Sequence, residues 1–395
     1  MPKAMWVVVV VLGGCTAGSG VDAGSGADAN PCSATVHPIA QCQVGFGFSA
    51  GPDLPKALDH HGTVIATSAA GSFLYVIGGN NYHGVFNTVY MAPIGADGAL
   101  GAWTTTTPLP AARAGFGIAV TSGRIVVLSG QNNGVFPATV VSAPIQADGT
   151  LGAWIAEPSL PEARFHPYVT ISGQSLYVTG GLDPTFVATN TVYRSTINSD
   201  GTLGAFASLT TLPVTRSHHI ATVHDGFLYI AGGITGNPAG ISTGLSDVLS
   251  APVLSDGTLG AFSVIGTLDT PPATLSTFEL EGQLYLVGGI TDNSDYIGDI
   301  RRAPFAPNGQ LGSFELLSTG LPVGRSHVHQ TPFFNNHLYS VGGSIAYEKT
   351  TRSVQVGLVS WDMKMAARKV LRPHSALASG PRKPHCPRHL PSAAN

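Results

Sequence analysis

The chain has 395 residues, 43% of them hydrophobic and only 10% charged, with a formal net charge of −3. That hydrophobic share supports a sizeable core and excludes global disorder, while 50 Gly and 28 Pro indicate many turns and short strands. Charge is uneven: residues 363–395 hold seven Lys or Arg and no Asp or Glu, leaving an acidic body of about −10 that offers nucleic acid no basic surface.

At the N-terminus, Lys3 precedes a short apolar run, Trp6 to Leu12, too short to span a bilayer as a mature helix. Leu12-Gly13-Gly14-Cys15 follows and resembles the lipobox of bacterial lipoproteins, in which small residues precede a cysteine that is lipidated. The resemblance implies a signal peptide over 1–15 with lipidation at Cys15. It also implies a place in the cell envelope, anchored outside the cytoplasmic membrane at the outer membrane or cell surface. An ordinary secretory signal would read the same residues without the lipid. Residues 16–42 form a Gly/Ala/Ser/Asp-rich linker, a composition that cannot bury a core and behaves as a tether. Cys32 and Cys42 bracket a short segment and are a candidate disulfide in an exported protein. Cys386 stands alone, and no cysteine lies between 43 and 385.

Residues 43–362 are a repeat. Leu74-Tyr75-Val76-Ile77-Gly78-Gly79 returns as glycine pairs at Gly180-Gly181, Gly232-Gly233, Gly288-Gly289 and Gly342-Gly343, with a degenerate Ser129-Gly130. Their first members are 51, 51, 52, 56 and 54 residues apart. A period of this size signals a repeat architecture. Other columns fall into register. An aromatic (Phe48, Trp103, Trp154, Phe206, Phe262, Phe314) stands upstream, and Leu-Pro follows it in five copies. Downstream an apolar strand leads to Asp97-Gly98, Asp148-Gly149, Asp200-Gly201, Asp256-Gly257 and Asn308-Gly309. Such pairs mark hairpins in which both central residues take positive φ. Each unit thus has four short strands, the last carrying the aromatic, and four antiparallel strands per repeat describe a propeller blade. Glycine pairs suit strands crowded near an axis, because a residue without Cβ permits close backbone approach.

With these columns in place the chain resembles a kelch-repeat β-propeller. The resemblance implies an all-β fold of six four-stranded antiparallel blades. The sixth copy reaches Asp362 and then fails, with Met363 in place of glycine, while Gly45-Phe46-Gly47-Phe48 supplies an aromatic strand without partners. An N-terminal strand completing the last blade resolves both, and closure of this kind leaves no open edge. Residues 363–395 read as a basic disordered tail.

The candidate site is the column after Leu-Pro. It holds Arg113, Arg164, Arg216 and Arg325, and two positions on, His60, His166, His218 and His327. By the resemblance, this connection lines one mouth of the central channel, where guanidinium forks would bind carboxylates. The structural alternative is that each arginine bonds turn carbonyls or an acidic residue of its own or the next blade. Local metal-ligand spacing is absent, so no metal site and no cofactor are expected. Polar segments after the glycine pairs, such as Asn80-Asn81 and Gln131-Asn132-Asn133, mark variable loops of the kind that carry binding. Oxidase chemistry of the galactose-oxidase kind needs a cysteine that the repeat lacks, and Asp-box spacing of sialidases is absent. No nucleophile–base pair or carboxylate pair stands out, so no catalytic residue is assigned. The expectation is a monomeric, non-catalytic binding module for a protein or glycan. The competing expectation is an enzyme on an acidic sugar, akin to a sialic-acid mutarotase or epimerase.

Overall fold

The computed structural model describes residues 42–236, 242–291 and 295–363. The expected signal peptide, Cys15, the linker with Cys32, and the basic tail lie outside them; of Cys42 only the backbone is described. Among the described residues the architecture is all-β, with six antiparallel blade sheets, five of four strands and one whose outer strand is split into Gln310–Leu311 and Glu315–Leu316. Blade 1 runs from the axis outward as Gly62–Ser68, Gly71–Ile77, Val89–Ile94 and Thr104–Thr106. The inner strands of blades 2 to 6 are Gly117–Thr121, Tyr168–Ser172, Ile220–His224, Ser276–Leu280 and Phe333–Phe334. Blade 6 is closed by Cys42–Gly51, which pairs along its whole length with Val354–Met363. Where five copies make a turn, the third strand of the sixth runs straight through Asp362 and is covered by the first strand of the chain.

Buried apolar residues form six clusters, each spanning one interface between consecutive blades. Phe46 of the closing strand meets Phe278 of blade 5 edge-on at 6.1 Å, so ring closure adds core as well as backbone bonds. The aromatic column clasps neighbouring blades. The indole N–H of Trp103 donates to the Pro52 carbonyl, and that of Trp154 to Thr107, at 2.8 and 3.1 Å. In the first five blades the outer strand starts just after the aromatic rather than carrying it.

The glycine pairs latch one blade to the next. The second member donates its N–H across the interface in every copy, for example Gly79 to Arg113 and Gly343 to Leu58, at 2.8 and 2.7 Å. Both members take positive φ, 56° and 91° at Gly78 and Gly79, and a Cβ on Gly79 would lie 2.7 Å from the Asp59 carbonyl. Only glycine fits such a crossing.

The Asp-Gly turns differ from expectation. Only Asn308-Gly309 has both residues at positive φ; elsewhere only the glycine does. The reason is an alternative partner for the backbone. The carboxylates of Asp97, Asp148, Asp200 and Asp256 each accept the N–H two residues on, at 2.9 to 3.1 Å, which holds the aspartate in an Asx turn. The turn then serves the neighbouring blade. The Tyr177 hydroxyl donates to the Gly257 carbonyl and the Tyr339 hydroxyl to Gly98, both at 2.8 Å. Tyr285 occupies the same column, but blade 6 has no Asp-Gly turn to meet it, so its buried hydroxyl lacks the cross-blade carbonyl bond and lies beside Arg302 of its own blade. Tyr177→Phe is therefore expected to cost about 1 kcal/mol in urea unfolding and Tyr285→Phe close to nothing. Equal losses would refute the pairing.

Candidate functional site

The connections entering the inner strands and the loops after the glycine pairs share one face of the ring. In the histidine column all six residues adopt the left-handed conformation, with φ of 52° to 58° at His60, Gly115, His166, His218, Thr274 and His327. This bend aims the peptide groups around the axis. Gly115 N–H donates to His60, His166 to Gly115, Thr274 to His218 and His60 to His327, at 2.8 to 3.0 Å. Successive blades are thereby stitched at the axis. The column is conformational first, which is why a glycine and even a β-branched threonine occur in it.

The imidazoles of His60, His166, His218 and His327 converge on the axis. Ring centroids are 4.2 Å apart for His60 and His327, 3.7 Å for His166 and His218, and 4.8 Å for His60 and His166. His329 joins them, its Nε2 lying 3.1 Å from Nδ1 of His166. Together they plug the axis. Gly115 leaves room for the Phe165 ring, which stacks on His60 at 5.9 Å and covers the missing side chain. Burial holds His166, His218 and His329 well below the ordinary imidazole value, aided by their neighbours' charges, and His327 at about 3. Beneath the plug, burial holds His61 at about 4 and His219 at about 3. Asp59 carries the charge at this mouth. Burial opposes ionisation, but its bond and electrostatic interaction with His60 Nδ1 at 2.8 Å and the bond it accepts from the Ser344 hydroxyl at 2.5 Å bring its carboxyl down to about 2. Among the described residues no group of three or more His, Cys, Asp or Glu side chains is placed to hold a metal ion.

The arginines do not line the mouth. Arg113, Arg164, Arg216 and Arg325 are 4%, 1%, 0% and 1% exposed, so their guanidinium groups point into the blades. Arg113 donates to the Thr139 carbonyl and hydroxyl, both at 2.8 Å. Arg164 pairs with Glu162 at 2.5 Å and Arg216 with Asp247 at 2.7 Å. Arg325 donates to the carbonyls of Gly342 and Ser353 at 2.9 and 3.1 Å. Each thus ties the connection to its own blade, Arg164 by way of Glu162, Thr191 and Tyr193. This is the arrangement the structural alternative describes, and it leaves no carboxylate clamp at the axis.

What the sequence reading overlooked is aromatic. The loops after the glycine pairs present Tyr82, Phe186 and Tyr347 at 55%, 57% and 84% exposure around the plugged axis. Phe186 also leans edge-on against Phe136 at 5.3 Å and Phe165 at 6.3 Å, extending the patch inward to the histidines. The polar loop residues build the platform beneath. Asn81 donates to the Ala57 carbonyl at 3.0 Å, and Asp183 accepts the N–H groups of Thr185 and Val187 at 2.8 and 3.0 Å. Counting aromatics inside the non-repeating loops would have exposed this rim. In blade 4 part of the longer loop lies outside the described residues.

No family model matches the chain. It is 31% identical over 148 residues to Kelch-like protein terF of Aspergillus terreus, covering 34% of this chain and 30% of that protein. Kelch-like protein 33 of Homo sapiens is 31% identical over 140 residues, covering 35% and 25%. Beta-scruin of Limulus polyphemus is 24% identical over 241 residues, covering 57% and 25%. The chain therefore matches between a quarter and a third of the length of these relatives. Among solved structures, that of YjhT superimposes with a TM-score of 0.59 at 14% identity, covering 79% of this chain and 99% of that one, which speaks to the fold alone. Six four-stranded blades in a closed ring, with relatives that carry the kelch name, support a kelch-type β-propeller.

Proposed function

We propose that this propeller is a lipid-anchored, extracytoplasmic binding module whose loop face recognises a protein partner. The observation that carries the reading is the rim of exposed aromatics, Tyr82, Phe186 and Tyr347, on a face made rigid by the axial ring. Large, stiff aromatic side chains on a preorganised surface supply contact area at low entropic cost and are enriched where proteins bind proteins. Kelch-type relatives make an interaction module the reading most consistent with the fold. Catalysis on an acidic sugar loses its support with the arginines folded into the blades.

The triple variant Y82A/F186A/Y347A is expected to melt like the wild type and to lose at least tenfold in affinity for a partner captured by cross-linking from envelope extracts. A variant that captures the same partner as well as the wild type does would overturn the reading. A parallel glycan array separates sugar recognition from protein recognition. Anchoring has its own test. Cys15→Ser is expected to release the protein from the membrane fraction, and unchanged membrane association would exclude lipidation.

A further inference from the structure

The central channel carries a feature that the loop face does not use. Inner strands of all six blades enclose about 220 Å³. The histidine plug closes this space on the loop side, so it is a pocket with one mouth, on the face of the Asp-Gly turns. Its volume is below the ~300–1,000 Å³ of drug-sized sites, which limits an occupant to about a single ring.

Among the lining residues Glu279 is the only acid or base of the Asp, Glu, Lys, Arg or His type. Its carboxylate is fixed at both ends. One oxygen accepts from the Thr222 hydroxyl at 2.5 Å, and the other meets His224 Nδ1 at 3.0 Å. A carboxylate offers about four lone-pair sites, so two remain for a ligand. Around it the wall is hydroxylic. Tyr168 and Thr170 line the channel, and neither side-chain hydroxyl has a hydrogen-bond partner among the described residues. Gln330 accepts the Thr63 N–H through its oxygen, which leaves its amide NH2 to donate. Glu279 is the one carboxylate among the lining residues of this narrow cavity, and low-dielectric walls focus its field, which favours cations over anions.

We propose that this channel binds a small hydroxylated cation of the amino-sugar class, its ammonium on Glu279 and its hydroxyls on Tyr168, Thr170 and Gln330. The site is separate from the loop face and does not depend on that face binding anything. It also selects against the acidic sugars that an arginine clamp would have favoured.

The test is calorimetric titration of the purified propeller at pH 7 with glucosamine, glucose and glucuronate. Glucosamine is expected to bind at least tenfold more tightly than glucose, with no detectable heat from glucuronate. Glu279→Gln should remove the preference for the amine. Val120→Phe, on the channel wall away from Glu279, should fill the space and abolish binding even if the first variant folds poorly. Failure of all three sugars to bind the wild type would overturn the proposal. So would equal affinity for glucose and glucosamine, or undiminished glucosamine binding by either folded variant. Partner capture by the loop face should be unaffected in both variants, which keeps the two sites distinguishable.

Discussion

Taking the purified propeller from pH 7 to pH 5 is expected to lower its unfolding free energy by several kcal/mol and its melting temperature by on the order of 10 °C. The cause lies at the plugged axis. His61, His166, His219 and His329 are buried, and all four are held below the ordinary imidazole value by that burial. In the unfolded chain each takes up a proton as pH falls below about 6.5, whereas in the folded protein it stays neutral. The unfolded state then binds more protons, so stability rises with pH across this window and is lost on acidification. At pH 5 each such histidine contributes roughly 2 kcal/mol of loss. Asp59, held at about 2, extends the loss to lower pH, since its stabilising charge disappears as pH falls through that value. His224 works the other way, because its bond to Glu279 raises its affinity for a proton, and one such group does not outweigh four. Thermal melts across pH 5 to 8 decide the matter. A flat profile would mean that the imidazoles are not buried as a cluster.

The second large effect concerns the arginine column. Arg325→Met is expected to cost roughly 3–5 kcal/mol, the scale on which removing one member of a buried polar network acts. Methionine fills much of the volume but leaves the carbonyls of Ser340, Gly342 and Ser353 without this donor. Burial already lowers the Arg325 guanidinium to about 10, which still leaves it charged at neutral pH and bonded to oxygens throughout. For comparison, Arg352→Ala breaks an exposed pair with Asp53, and such pairs contribute under about 1 kcal/mol. Chemical denaturation of both variants gives the contrast. If Arg325→Met unfolds like the wild type, the side chain is available to a ligand and the clamp reading returns.

Much of the architecture was legible because propeller blades repeat their constraints. The glycine pairs mark a crossing that admits no Cβ, and that need recurs at every interface. The failed turn at Asp362-Met363 announced the closing strand, since an unpaired third strand requires a partner and Phe46 and Phe48 were the spare ones. The Asp-Gly turns were located correctly but given the wrong geometry. A hairpin rule attends to the backbone, while here the aspartate side chain supplies the bond. The four histidines of the column meet at the axis, while the four arginines turn into the blades. A two-residue offset in sequence becomes a change of direction once the chain bends through a left-handed residue, so one side chain faces the axis and the other enters the blade.

Sequence by itself determined the number of blades, their strand order and the way the ring closes, because each is enforced by local chemistry at fixed spacing. Tertiary structure alone decided what faces what. The aromatic rim is assembled from loops of different blades that share no period. Glu279, Thr222 and His224 meet only because blades 4 and 5 stand side by side. Repetition reports what every blade needs, and both candidate sites are built from residues that occur once.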